Sequence, residues 1–333
     1  MPTTSKAAVF TAPGEVEVRQ VPVPDPGPNE VLIRSEYSII SNGTESWVWA
    51  GRFHSPGQPA RMHFPWVPGY QRMGVIEQVG ADVTNLQAGQ RVAATVSRFE
   101  EPYETSWGSH AELAVTHAEQ CYPLPGDVDP VDVAGLVLTQ VGYNGGTRPP
   151  VCEGSTAVVI GDGLVGQWAA QTFRARGAYV ILCGHRAKRL ALAAEHSADE
   201  AVNTREMDIE ALVRDRFPGG VDIVDEAVGL LGNVELAFKL LRHDGHLVFN
   251  GYHPEGEHLM NIQWLHDKEI TCWGMAGWTR PRMEATLDWV RQGKLKVKEL
   301  ITHEFPGSRA DEAYRMIWDK SDDFVGVLLN WQG

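Results

Sequence analysis

Apolar and polar positions change rhythm once along this chain, near Asp132. Before that point the pattern is short and alternating. "KAAVFTAPGEVEVRQVPVPDPGPNEVLIRSEYSII" breaks its β-branched runs with Gly and Pro, and "GVIEQVG", "QRVAATV" and "HAELAVTH" continue in the same way. Short strands between close turn signals predict a barrel-like sheet. After Asp132, "DVAGLVLTQVGYNGG" has helical spacing and stops at Gly145-Gly146. Then strand-like and helix-like segments alternate: "TAVVI", "LVGQWAAQTFRARG", "YVILCG", "AKRLALAAEH", "VDIVDEAVG", "GHLVFNGY" and "EITCWGMAG". Such alternation predicts crossover units and a parallel sheet. The tail returns to a helix in "RMEATLDWVRQGKL" and ends on two strand-like runs, "ITHEFPG" and "VGVLLNW".

Composition narrows the picture. With 333 residues, two domains are expected. The formal net charge is −14, and an acidic surface repels phosphate backbones, so nucleic acid is excluded as a partner. No run reaches the roughly 20 apolar residues of a membrane span, and "MPTTSKAAVF" has no apolar signal core. A cytoplasmic protein without a membrane partner is the expectation. Cys121, Cys152, Cys183 and Cys272 are scattered, with none of the spacing of a zinc site or a disulfide framework.

One motif carries cofactor chemistry. Gly161-Asp162-Gly163-Leu164-Val165-Gly166 is a GxGxxG between a predicted strand and a predicted helix. The glycines allow a tight turn, close approach of a pyrophosphate and close helix–strand packing. The next strand runs into Cys183-Gly184-His185-Arg186 and lacks the carboxylate that binds a ribose 2′-hydroxyl in NAD sites. Arg186 with His185 suits a 2′-phosphate, so NADP(H) is expected over NAD(H). Val228, Gly251 and Tyr252 follow later strands and are expected beside the cofactor.

These residues carry a resemblance to the medium-chain dehydrogenase/reductase superfamily, which includes zinc alcohol, sorbitol and threonine dehydrogenases and quinone oxidoreductases. "PGYQRMGVIEQVGADVTNLQAGQRV" is similar to the family stretch PGHExxGxVxxVGxxVxxxxxGDRV. "PGPNEVLIR", "GSHAELAV" and "GKLKVKELITHEFPGSRADEAYRMI" resemble its other signatures. The resemblance implies an α/β protein with a GroES-like β-barrel catalytic domain, residues 1–138 and 279–333, around a Rossmann domain, residues 139–278. It also implies an active site in the cleft between them and a homodimer formed through the last Rossmann strand.

The same alignment implies a loss. Where zinc members carry a Cys, a His and a third ligand, this chain has Asn42, Tyr70 and the apolar surroundings of Val137, and the family Glu is Gln71. The four-cysteine structural lobe is missing as well. No zinc is expected. Hydrogen-bond donors must then polarise the substrate carbonyl. The candidates are Tyr70, Thr44, Glu45, Asn42 and Gln71. Thr44 aligns with a proton-passing hydroxyl of the zinc enzymes, and Glu45 is a candidate base. Trp47, Trp49, Phe53, His54, His63, Trp66, Trp107 and His110 are expected to wall the substrate pocket. The "GTE…PGYQ" pairing resembles a zinc-free branch that includes bacteriochlorophyllide dehydrogenases. Together these features imply alcohol–ketone interconversion on a sugar- or cyclitol-like ring, with a quinone or enone reductase as the alternative.

Overall fold

The computed structural model of the chain describes residues 3–53, 63–103, 107–253 and 260–333. They form two compact units, Met1–Val137 with Ile301–Gly333, and Leu138–Leu300.

The first unit begins with the hairpin β1 (Thr4–Ala12) and β2 (Glu15–Pro22), turned at Gly14, whose φ of 80° suits glycine. The long β3 (Glu30–Ile39) leads to the short helix α1 (Thr44–Trp49). β4 (Arg72–Val79), β5 (Arg91–Ala94), β6 (Leu113–His117) and β7 (Cys121–Pro123) complete the amino-terminal sheet. β3 pairs antiparallel with both β4 and β6, and β4 continues through β5 to β7. This is the barrel-like sheet that the alternating pattern predicted. The chain leaves the unit at the start of α2 (Leu136–Thr147).

The second unit is a six-stranded parallel sheet. Its strands are β8 (Thr156–Ile160), β9 (Tyr179–Gly184), β10 (Glu200–Asn203), β11 (Val221–Glu226), β12 (Leu241–Phe249) and β13 (Thr271–Gly274). Their order is β10-β9-β8-β11-β12-β13, the doubly wound arrangement that reverses direction between β8 and β11. The intervening helices are α3 (Leu164–Ala175), α4 (Ala187–His196), α5 (Ile209–Arg216), α6 (Leu231–Leu240) and α7 (Gln263–Lys268). β13 forms one edge of the sheet, and most of its residues are exposed.

The sequence placed residues 279–300 with the barrel, but the structure packs them in the second unit. Helix α8 (Arg280–Arg291) buries Met283, Leu287 and Val290. The indole of Trp168, itself fully buried, donates to the Lys296 carbonyl at 2.9 Å. Gln171 Oε1 accepts from the Lys296 amide at 2.7 Å, and the rings of Tyr143 and Trp289 meet edge to face at 5.1 Å. Full burial of a large side chain such as Trp168 contributes about 2–3 kcal/mol, and these contacts hold the segment on the second unit.

The chain then returns to the first unit. β14 (Ile301–Pro306) pairs parallel with β15 (Gly326–Asn330), and β15 pairs antiparallel with β3. Between them α9 (Ala310–Asp319) places Ala310, Ala313, Tyr314 and Ile317 on its buried face, at the spacing of one helix side. No helix among the described residues is long and apolar enough to cross a membrane.

Candidate active site

In the first unit, five polar side chains close a circuit. Tyr70 is buried, and its hydroxyl donates to Ser41 Oγ at 2.6 Å. The Ser41 amide donates to Glu45 Oε1 at 2.9 Å, while the Glu45 amide donates to the Ser41 carbonyl at 3.0 Å. Glu45 Oε2 accepts the phenol of Tyr314 and meets His110 Nε2 at 3.0 Å. The imidazole of His110 in turn packs on Gly69, where an added Cβ would lie 2.6 Å from the ring. Gly69 also has a φ of 86°, so two independent demands fix glycine there. The His110 and Ser109 amides donate to the carbonyls of Pro68 and Gly69, which ties the loop before β6 to the segment that carries Tyr70.

The network extends beyond the circuit. Trp331 Nε1 donates to Ser38 Oγ at 2.9 Å, and Ser38 Oγ lies 2.8 Å from His110 Nδ1. With the indole as donor, the Ser38 hydroxyl proton is free for Nδ1, and the imidazole proton falls on Nε2, facing Glu45. Glu45 and His110 are both fully buried. A buried carboxylate requires donors on most of its lone pairs, and here it has three.

Burial raises the Tyr70 phenol well above its ordinary range, and the Glu45 charge raises it further. Hydrogen bonds to Ser41 and Thr44 oppose this without reversing it. Tyr70 is therefore a protonated donor, linked to two hydroxyls. Thr44, at the start of α1, is half-buried and the most accessible of the three. Burial likewise raises Tyr314, ahead of the Glu45 charge.

The remaining sequence candidates divide. Asn42 is half-buried, with Nδ2 donating to the Val325 carbonyl at 2.7 Å and Oδ1 left without a partner. Gln71 is sealed, with Nε2 donating to the Ile39 carbonyl at 3.0 Å, so it is a packing residue rather than an open polar one. Three expected pocket residues are not accessible. His110 belongs to the buried network. Trp49 lies between Phe10 and Trp318, with ring centroids 6.4 and 4.6 Å away. Trp66 is core, its backbone bonded to Phe10. The sequence reading missed that α9 covers this side of the barrel and makes a core of these rings. Trp107 is half-buried and meets Phe53, Trp66 and Tyr70 at 5.3, 6.0 and 5.0 Å. Trp47 and Phe53 are half-buried, and His63 is exposed. His54 lies outside the described residues.

The side chains at the positions that the resemblance aligns with zinc ligands are not zinc ligands. They offer an amide at Asn42, a neutral phenol at Tyr70 and a buried isopropyl group at Val137, where zinc requires thiolate, imidazole or carboxylate. The described residues contain one cluster of three close His, Cys, Asp or Glu side chains, His243, Asp244 and Glu269, exposed on the second unit.

In the second unit the glycine motif has the expected geometry. Gly161 has a φ of 130°, and a Cβ on Gly166 would lie 2.1 Å from the Gly161 carbonyl. Nothing would crowd a Cβ at Gly163, so space remains there for phosphates before α3. The C-terminal ends of the strands bring Gly184-His185-Arg186, Val228 and Gly251-Tyr252 around this turn. Val228 is exposed, Tyr252 is half-buried, and Gly251 has no room for a side chain beside the Gly229 amide.

The sequence reading missed one carboxylate at this turn. Asp162, inside the glycine motif, folds its side chain toward the end of β9. Its Oδ2 accepts the amides of His185 and Arg186 at 3.0 and 3.1 Å, and Oδ1 lies 3.4 Å from Arg189 Nη1. Gly184 permits this, because a Cβ there would strike Oδ2 at 2.3 Å. The signal was present in the motif's second residue, but a search at the strand end passes over it. Asp225, fully buried at the end of β11, accepts Asn250 Nδ2 at 3.2 Å, and burial pushes its carboxyl well above the usual carboxylate range.

A barrel unit with a buried hydroxyl network and a doubly wound unit with an open glycine turn together define the architecture of a medium-chain dehydrogenase. The comparisons agree. Residues 27–126 match the family model of the alcohol dehydrogenase GroES-like domain, and residues 165–292 match that of the zinc-binding dehydrogenase. The chain belongs to the medium-chain dehydrogenase/reductase superfamily of zinc-alcohol-dehydrogenase type and is an oxidoreductase of that kind. It is similar to the sorbitol dehydrogenase of Halalkalibacterium halodurans, at 28% identity over 95% of this chain and 96% of that one. It is similar to an alcohol dehydrogenase of Rhizobium meliloti, at 28% identity over 88% and 90% of the two chains. Its fold is shared with a Sinorhizobium meliloti 1021 protein classed as a zinc-binding dehydrogenase and crystallised with NADP (TM-score 0.86, 24% identity, covering 98% and 99% of the two chains).

Proposed function

We propose that this protein is a zinc-independent, NADP(H)-dependent oxidoreductase that interconverts a secondary alcohol and a ketone on a hydroxylated ring of sugar or cyclitol type. The observation that carries this reading is the state of Tyr70. At a position where zinc relatives place a metal ligand stands a phenol that burial and Glu45 keep protonated, bonded to Ser41 and Thr44. A neutral donor there suits a carbonyl oxygen that gains charge as hydride arrives.

The cofactor, when bound, supplies or accepts the hydride. In the reducing direction Tyr70 donates to the developing alkoxide, and Thr44, more accessible, passes the replacing proton from solvent. In the oxidising direction the path reverses: the phenol oxygen of Tyr70 takes the alcohol proton as the phenol's own proton passes through Thr44 to solvent. Asn42 Oδ1, unpartnered, serves as an acceptor for a second substrate hydroxyl. Trp107, Phe53 and Trp47 offer apolar faces to the C–H side of a ring. A likeness to enzymes named sorbitol and alcohol dehydrogenases supports the alcohol–ketone class.

Arg186 beside the side-chain-free Gly184 favours a 2′-phosphate, and the Sinorhizobium protein binds NADP. The charge of Asp162 opposes this and is partly offset by Arg189. We further infer a cytoplasmic homodimer in which β13 pairs with its copy, since an exposed edge strand is a pairing surface.

The test is a panel of polyols, cyclitols, ketones and enones read by NADPH absorbance. Turnover of cyclic secondary alcohols and their ketones is expected. Turnover confined to enones or quinones would replace this reading with conjugate reduction.

A further inference from the structure

Fully buried titratable groups are unusual, and Glu45 holds three donors in one place without facing solvent. Two of them, Tyr314 from α9 and His110 from the bend beside Gly69, are distant from Glu45 in sequence. Their bonds converge on one carboxylate. The other oxygen of that carboxylate grips the Ser41 backbone, and the Ser41 hydroxyl is the acceptor of Tyr70.

We propose that Tyr314 and His110 are positioning residues for Tyr70 that act through the Glu45 carboxylate. This rests on the reading of Tyr70 as donor in the reaction. Glu45 does two things at once. Mechanically, it fixes the turn that presents Ser41 Oγ to the phenol. Electrostatically, it places a negative charge near a group that must stay neutral to donate. Tyr314 and His110 set how much of that charge Tyr70 feels, because each hydrogen bond they donate withdraws part of it. The groups facing Tyr70 are Glu45 and Thr44 from α1, Ser41 from the preceding turn, the Trp107 ring, and Tyr314 from α9. His110 reaches it through Gly69. The circuit also explains why Glu45 is no base for the substrate: its lone pairs are committed and it is sealed.

The test needs no substrate. A polyfluorinated tyrosine installed at position 70, whose phenol ionises at lower pH than tyrosine, reports its own titration by ¹⁹F NMR in the full-length protein. Glu45→Gln removes the charge and should lower the midpoint by about one unit or more. Tyr314→Phe and His110→Leu each strip one hydrogen bond from the charge and should raise it. Simple loosening of the packing would shift all three variants toward the ordinary phenol value, which is downward. Midpoints that stay at the wild-type value, or that all fall together, overturn the proposal. Failure of the donor reading is seen separately, as unchanged turnover in Tyr70→Phe with these titration shifts intact.

Discussion

The hydroxyl of Tyr70 lies 2.6 Å from Ser41 Oγ and donates to it. The only proton this phenol can give a substrate is thus already held by a neighbouring hydroxyl, in a place sealed from bulk water. To serve a substrate oxygen the phenol turns its proton from Ser41 to the developing charge, and the buried setting strengthens the new bond. Tyr70→Phe deletes the donor and keeps the ring on Trp107. Turnover should fall on the order of 10²–10³-fold, with dinucleotide affinity unchanged. Steady-state kinetics beside a fluorescence titration of NADPH decides this, and near-normal turnover would move the role to Thr44.

The dinucleotide preference should respond in opposite directions to two charges. Arg186→Ala should weaken NADPH about ten- to hundredfold and leave NADH nearly alone, since a charge-assisted contact is worth about 1.5–3 kcal/mol. Asp162→Asn removes the carboxylate that holds the His185 and Arg186 amides and should tighten NADPH relative to NADH. Parallel calorimetric titrations test both. NADH binding at least as tightly as NADPH to the wild type would reverse the assignment.

Chelation should not touch activity. With an amide, a phenol and an isopropyl group at the ligand positions, the purified protein should lack stoichiometric zinc and keep its rate after dialysis against a chelator. Elemental analysis finding one tightly held zinc per chain would contradict this.

Asp225 should lower stability at neutral pH. Its folded-state carboxyl binds a proton more tightly than the unfolded chain does, because burial penalises the charge. The stability from that proton is complete below the ordinary Asp value, about 3.9, and is lost as pH rises from there toward the folded value. Asp225→Asn removes this titration and still accepts from Asn250. The variant should melt higher than wild type at pH 7 (about neutral) and equal to it near about pH 4. Thermal melts across that range provide the check, and a variant less stable at neutral pH would refute the sign.

Light scattering should report a dimer at micromolar concentration. Trp273→Lys on β13 should shift it toward the monomer, as charge blunts an edge strand. A wild type that is monomeric throughout would remove β13 as an interface.

The sequence was most legible where local rules act alone. The β-rich barrel followed from alternation, the parallel sheet from alternating elements, and the glycine turn from a motif whose three glycines have the spatial reasons expected of them. Legibility failed where distant segments meet. Trp49, Trp66 and His110 resembled pocket residues because nothing in their own stretch reveals that α9 covers them. Tyr314 completes the Glu45 site from 269 positions further along the chain, beyond the reach of any spacing argument. The fate of residues 279–300 was hidden for a similar reason: Trp168 and Gln171 hold them from another part of the chain. Asp162 was overlooked differently, since its side chain reaches across to a strand end where the sequence itself shows only glycine.

Gly69 and His110 also bear on how this sequence can change over time. A larger residue at 69 is blocked by the His110 ring, and a smaller residue at 110 strips a donor from a buried carboxylate. Gly69 is held by its own backbone angle as well as by the ring, so neither position changes without a cost. Such a pair acts as a lock on lineage drift. Placing Cys and His at 42 and 70 would leave that lock in place, so building a metal centre here requires rewriting the surroundings together with the ligands.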